Sequence, residues 1–242
     1  RENYELIFAT SFGHMNSVMR VARSFPQTSF QHASGYKTAP NVGTYQIRAM
    51  QGRYLAGKIA GYMSTSQKIG YVASFPIPEV IRGINAFTLG AQAANPDVTV
   101  QAIWINSWMN AAKEREATEL LINLGADVIT HHTETPVLMV AAEEAGVWAV
   151  GYQYDRSQFA PNSHLVTIEY NWGPIYKSII QDKLAGRWKS ESLWFGVDHD
   201  ATRLVSISSK VPTSILSEIE EIRSQMANKT FKIFKGPIID IE

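Results

Sequence analysis

The chain has 242 residues, 45% of them hydrophobic, which suffices for one large domain or two small ones with a proper core. Its 22 basic and 22 acidic side chains cancel, so it lacks the basic footprint of a nucleic-acid binder. It has no cysteine, which excludes disulfides and thiolate chemistry, and its longest apolar runs, about eight residues, are too short for a membrane-spanning helix.

Residues 4–9 read as a buried strand that ends in the polar and aromatic turn Thr10-Ser11-Phe12-Gly13-His14-Met15. Beginning on Arg1 and entering a buried strand so soon fits a processed or truncated protein. A helix over residues 17–24 stops at Pro26, a short strand covers 29–33, and an irregular loop containing Pro40 runs from Gly35 to Gly43. A longer helix is predicted over 44–63, where Gly52, Ala56 and Ala60 place small residues on one face and imply close backbone packing.

After the polar break Ser64-Thr65-Ser66-Gln67, one unit repeats. Strands over 68–73, 98–105, 127–130 and 147–152 alternate with helices over 79–94, 111–124 and 135–145. Such alternation predicts a parallel sheet with helices on both faces, and ligands bind beyond the carboxyl ends of such strands. Those ends carry Phe75, Trp108, His132 and Asp155. A strand over 164–170 follows, then the turn Asn171-Trp172-Gly173-Pro174 and a helix over 175–184 stopped by Ala185-Gly186. Strands over 192–197 and 202–207 flank Asp198-His199-Asp200, a helix runs from Pro212 to 227, and the tail 231–241 has strand character. The reading is α/β with two lobes, one of residues 1–66 and 163–187, the other of 69–162 and 188–242. The chain would cross between them near Gln67 and Ser163, with a ligand cleft between the lobes.

Trp108 stands among polar neighbours, where an indole either stacks on an aromatic ligand or covers the top of its own lobe. Trp172, Phe12 and Phe75 add aromatic surface at other strand ends, which suits a planar heterocycle, although sugar rings also stack on tryptophan. Asp155 is placed either to accept hydrogen bonds from a ligand or to brace its own loop. His131 and His132, adjacent on a strand, point to opposite faces and do not chelate one metal, while His132 is placed to hydrogen-bond a ligand. The chain has no Gly-x-Ser-x-Gly elbow, phosphate loop or dinucleotide fingerprint, so the expectation is a binding protein without catalysis, cofactor or metal.

The runs Gly70-Tyr71-Val72-Ala73, Phe75-Pro76-Ile77-Pro78-Glu79-Val80 and Arg82-Gly83-Ile84-Asn85-Ala86-Phe87 resemble the basic membrane protein family. These PnrA-like proteins are solute-binding lipoproteins of ABC importers. Gly52-Arg53-Tyr54-Leu55-Ala56-Gly57, Asn106-Ser107-Trp108, Gly125-Ala126-Asp127-Val128-Ile129 and Asn171-Trp172-Gly173-Pro174 agree, so the resemblance runs from residue 4 to residue 237. It implies the type I periplasmic-binding-protein fold, two Rossmann-like lobes with parallel sheets and a hinge, working outside the cytoplasm with an ABC permease. Family members typically bind purine nucleosides, and a branch with this tryptophan-rich pattern looks like adenine binders. The nucleoside branch has Phe where Trp108 stands and a glycine-rich loop where this chain has His131-His132-Thr133-Glu134-Thr135-Pro136, which favours a free base. The resemblance also implies a missing N-terminal segment, the lipobox cysteine with it, hence an incomplete first lobe and an open sheet edge near residues 6–9. A second polypeptide or self-association is expected to cover that edge. The alternative is a ligand-sensing or regulatory protein that kept the fold without a transporter.

Overall fold

The computed structural model describes residues 4–236. In chain order it contains β1 (Leu6–Ala9), α1 (Met15–Ser24), β2 (Ser29–Ala33), β3 (Val42–Ile47), α2 (Ala49–Met63), β4 (Lys68–Ala73) and α3 (Pro78–Ala94). Then come β5 (Thr99–Trp104), α4 (Ala111–Asn123), β6 (Val128–His131), α5 (Val137–Ala145), β7 (Trp148–Gln153) and β8 (His164–Tyr170). The last elements are α6 (Trp172–Leu184), β9 (Ser192–Phe195), β10 (Thr202–Val205) and α7 (Thr213–Ala227). They form two compact units, unit 1 reaching to Arg48 and resuming over Asn171–Ala201, unit 2 comprising Ala49–Tyr170 and the chain from Thr202. No helix among the described residues is long and apolar enough to cross a membrane.

Unit 1 is built on a parallel sheet of order β1-β2-β3-β9. Its central strands β2 and β3 are buried almost throughout, as strands covered on both faces must be. Helix α1 packs Met15, Val18 and Ala22, spaced three and four apart, against Phe30 and Val42. Strand β1 lies at the sheet edge, bonded to β2 and half-buried along its length.

Unit 2 carries a six-stranded sheet of order β10-β8-β7-β6-β4-β5, parallel except for β10, which runs antiparallel to β8. Val72 and Ile129 of the sheet pack with Leu121 of α4 and Leu138 and Met139 of α5 in one apolar core. Helices α2 and α3 meet backbone to backbone. A Cβ on Gly57 would lie 2.1 Å from the Phe87 carbonyl oxygen, and one on Gly90 2.0 Å from that of Tyr54. Close packing of α2 was expected from Gly52, Ala56 and Ala60, but Gly52 faces Thr202 and Ile168 instead, and the helix contact uses Gly57 and Gly61.

Four expectations are corrected. Residues 42–47, read as loop and helix start, form strand β3, because Val42, Thr44, Tyr45 and Ile47 suit a buried parallel position between β2 and β9. Strand β8, expected to return to the first lobe, pairs with β7 and β10 inside the sheet of unit 2. The lobe boundaries at 66, 163 and 188 therefore move: α2 belongs to unit 2, β9 to unit 1, and the crossings fall at Arg48, Tyr170 and Ala201. Residues 231–236 of the expected C-terminal strand are irregular, with Phe231 packed 5.2 Å from Tyr54, and residues 237–241 lie outside the described residues.

Candidate functional site

Rings project in sequence along the carboxyl edge of the unit 2 sheet. Phe75 follows β4, Trp108 sits in the loop after β5, His132 follows β6, Tyr152 is the penultimate residue of β7 and Tyr170 ends β8. Trp108 lies 5.4 Å from Phe75 and 6.4 Å from His132, measured between ring centres. His132 is 4.8 Å from Tyr152, which meets Tyr170 edge-on at 5.3 Å. Trp108 remains 36% exposed whereas His132 is 1% exposed, so the indole offers a face to solvent and the imidazole backs it.

Local sequence explains the placement. Asn110 caps α4, its side chain accepting the Lys113 N–H at 3.1 Å, which ends the Trp108 loop sharply. Pro78 starts α3 and holds the segment after Phe75 extended. Glu134 N–H donates to the Trp108 carbonyl at 2.9 Å, joining the loops that follow β5 and β6.

A cation lies beneath the rings. Arg53 of α2 is fully buried, donates from Nη1 to the His131 carbonyl at 2.8 Å, and sets its guanidinium 4.4 Å over Tyr152 and 5.5 Å over Tyr71. Tyr faces and a carbonyl stabilise a buried cation by the same electrostatics that an anion would supply more strongly. Burial, then Arg53, then His131 push the His132 pKa well below 6.5. Burial, then Arg156 and Arg53, do the same to His131. Both imidazoles are therefore neutral at physiological pH, and His132 Nδ1 lies 3.4 Å from the Tyr71 hydroxyl.

Asp155 is exposed beyond β7, where one carboxylate oxygen accepts Ser157 N–H at 2.9 Å and the other the Ser206 hydroxyl at 2.5 Å. Partial burial would raise its pKa, but the Ser206 and Ser157 bonds outweigh that and hold it below the usual carboxylate range. Two of its four acceptor positions are thus taken, one by its own loop and one by Ser206 beyond β10. Phe12 and Trp172 belong to unit 1. Phe12 lies 5.4 Å from Tyr36, and Trp172 opens α6, edge-on to Tyr45 at 5.8 Å and stacked on Tyr176 at 6.2 Å. Among the sequence-predicted residues, then, Phe75, Trp108 and His132 come together directly. Arg53, Tyr71, Tyr152 and Tyr170 were not anticipated, and the one available signal was a charged side chain within the largely apolar α2, which holds Lys58 as well. Among the described residues no cluster of histidine, aspartate or glutamate side chains could hold a metal ion.

Residues 1–236 match the model of the Bmp family, described as ABC transporter substrate-binding protein PnrA-like. The chain is 40% identical over 238 residues to a purine-binding protein of Brucella abortus, covering 98% of this chain and 68% of that one. It is 34% identical over 238 residues to a Haloferax volcanii protein named for glucose binding in ABC transport, covering 98% of this chain and 61% of that one. A transcriptional activator of the comK gene from Bacillus halodurans has a similar solved structure, with TM-score 0.84 at 20% identity over 93% of this chain and 79% of that one. An ABC transporter solute-binding protein from Aeropyrum pernix K1 gives TM-score 0.83 at 17% identity, covering 95% and 76%. At these identities the structural likenesses establish the fold alone, and it is the type I periplasmic-binding-protein fold expected from the sequence.

Proposed function

The chain belongs to the PnrA-like Bmp family of ABC transporter substrate-binding proteins, and from that membership we propose that it captures a purine base, adenine first among them or its nucleoside, for an ABC permease. The observation that carries this reading is the half-exposed Trp108 face braced by Phe75 and by the neutral, buried His132. A planar, uncharged heterocycle gains about 1–3 kcal/mol from stacking on such a ring. Arg53 beneath the rings favours electron-rich ligands and disfavours cations, which also suits a purine. Asp155, with acceptor positions to spare, receives an amino or ring N–H of the base, and Asp155→Ala weakens binding about tenfold. Purine binding by the Brucella abortus relative supports the ligand class. Work outside the cytoplasm, in the periplasm or on a lipid anchor, follows from the same family role.

Glucose is the second reading, because the Haloferax volcanii relative is named for it and sugars also stack on tryptophan. Native mass spectrometry of the gently purified protein separates the two. A co-purified purine, displaced by added adenine and not by glucose, is the expected result. A hexose adduct displaced by glucose alone would end the purine reading.

A further inference from the structure

We propose that Glu114 and Arg156 are positioning residues of the ligand wall, a buried anion and a buried cation that grip the His131–Pro136 loop from two sides and thereby fix Trp108 and His132. The inference deepens the reading of Trp108 as the stacking face and rests on it.

Glu114 lies on α4 and is fully buried, yet among the described residues it has no basic partner. Among the described residues its carboxylate bonds only loop atoms. Oε1 accepts the Asn110 N–H at 3.1 Å, and Oε2 accepts the Thr133 and Thr135 hydroxyls at 2.9 Å and 2.7 Å. One side chain thus joins the end of the Trp108 loop to the loop after β6. The Glu134 N–H bond to the Trp108 carbonyl, 2.9 Å, is a second tie between them.

Arg156, also fully buried, approaches the same loop with Nη1 on the Thr135 carbonyl at 2.6 Å and Nη2 on the Glu134 carbonyl at 2.9 Å. Thr135 is therefore held by its hydroxyl through Glu114 and by its carbonyl through Arg156. Arg53 adds a third grip at the His131 carbonyl, where the loop begins. All three charges bond polar atoms of this loop, and the two guanidiniums also lie over tyrosine rings, Arg53 over Tyr152 and Arg156 over Tyr154.

Burying a charge is costly, and here the cost is offset because each charge ends in hydrogen bonds to the loop. What a hydrogen-bonded charge returns is geometry. Three acceptor bonds and a two-pronged guanidinium leave the loop one arrangement, and a preformed wall spares a ligand the cost of ordering it.

The experiment uses the full chain labelled with 5-fluorotryptophan, the Trp108 signal being identified by its loss in Trp108→Phe. Glu114→Gln keeps the shape, and Thr135→Val removes a single hydroxyl with little threat to folding. In both variants, free of ligand, the Trp108 fluorine signal should shift or broaden while the other tryptophans hold, and adenine affinity should fall about tenfold. Thr135→Ser, which keeps the hydroxyl, should restore both. An unchanged Trp108 signal in both variants would overturn the proposal, as would a uniform change of all tryptophan signals. If the unaltered protein fails to bind adenine, the purine reading falls, while the ligand-free fluorine spectra still decide whether the clamp exists.

Discussion

The two units use the same strand–helix plan with opposite treatment of charge. Unit 1 buries no arginine, lysine, aspartate or glutamate among its described residues, whereas unit 2 buries Arg53, Lys58, Glu114 and Arg156. In unit 1 the aromatic rings turn upon one another where the sheet meets α6: Phe8 meets Tyr176 at 4.9 Å and Tyr45 meets Trp172 at 5.8 Å. In unit 2 the rings lie over a cation and beside neutral histidines, and Trp108 keeps a free face. Aromatic residues therefore differ between the units: they pack on one another in unit 1, while in unit 2 one of them, Trp108, stays partly exposed. Three of the four buried charges, Arg53, Glu114 and Arg156, bond the segment His131–Thr135 beside the Trp108 ring, whereas Lys58 pairs with Glu218.

The largest expected effect breaks the comparison at its scaffold. Gly90→Ala forces a methyl group onto the Tyr54 carbonyl and should destabilise unit 2 by about 3 kcal/mol, seen as faster hydrogen exchange in α2 and α3 with α1 unchanged. Equal acceleration in both units would show that they do not differ in this way. Trp172→Ala should cost unit 1 about 2 kcal/mol in urea unfolding through lost packing on Tyr45 and Tyr176, while Trp108→Ala costs less than about 1 kcal/mol. Similar losses would contradict the assignment of self-packing to one ring and free surface to the other.

Acid sharpens the contrast most gently. His131 and His132 have pKa values well below 6.5 in the fold, so the unfolded chain binds more protons as pH drops past 6.5. Stability contributed by their neutral forms is full above that value and is lost below it. Unit 2, where burial lowers the pKa of His164 as well, should lose about 1–2 kcal/mol between about pH 7 and about pH 6, and unit 1, where burial lowers the pKa of His32, should lose less. Hydrogen exchange followed at both pH values in α1 and α5 measures each.

Much of the fold was legible because hydrophobic runs and breakers in residues 68–152 specify strand and helix locally. Strand β3 was not, since its six residues flow into α2 with no proline or glycine pair to separate them, and only its neighbours β2 and β9 make it a strand. The partner of β8 is likewise a tertiary fact, decided by pairing with β7 and β10. At the site, Phe75, Trp108 and His132 could be read as strand-end residues, whereas Arg53 reaches them from a helix far away in sequence. The hydroxyls that engage Glu114 lie 19 and 21 positions from it, a distance that no local pattern signals.

The most direct test of purine capture is calorimetric titration of the unaltered protein and of Trp108→Ala with adenine, with glucose as the control ligand. The account predicts saturable adenine binding that weakens about tenfold to a hundredfold in Trp108→Ala, and no heat from glucose. Glucose binding in place of adenine, or adenine binding that Trp108→Ala leaves unchanged, would contradict it.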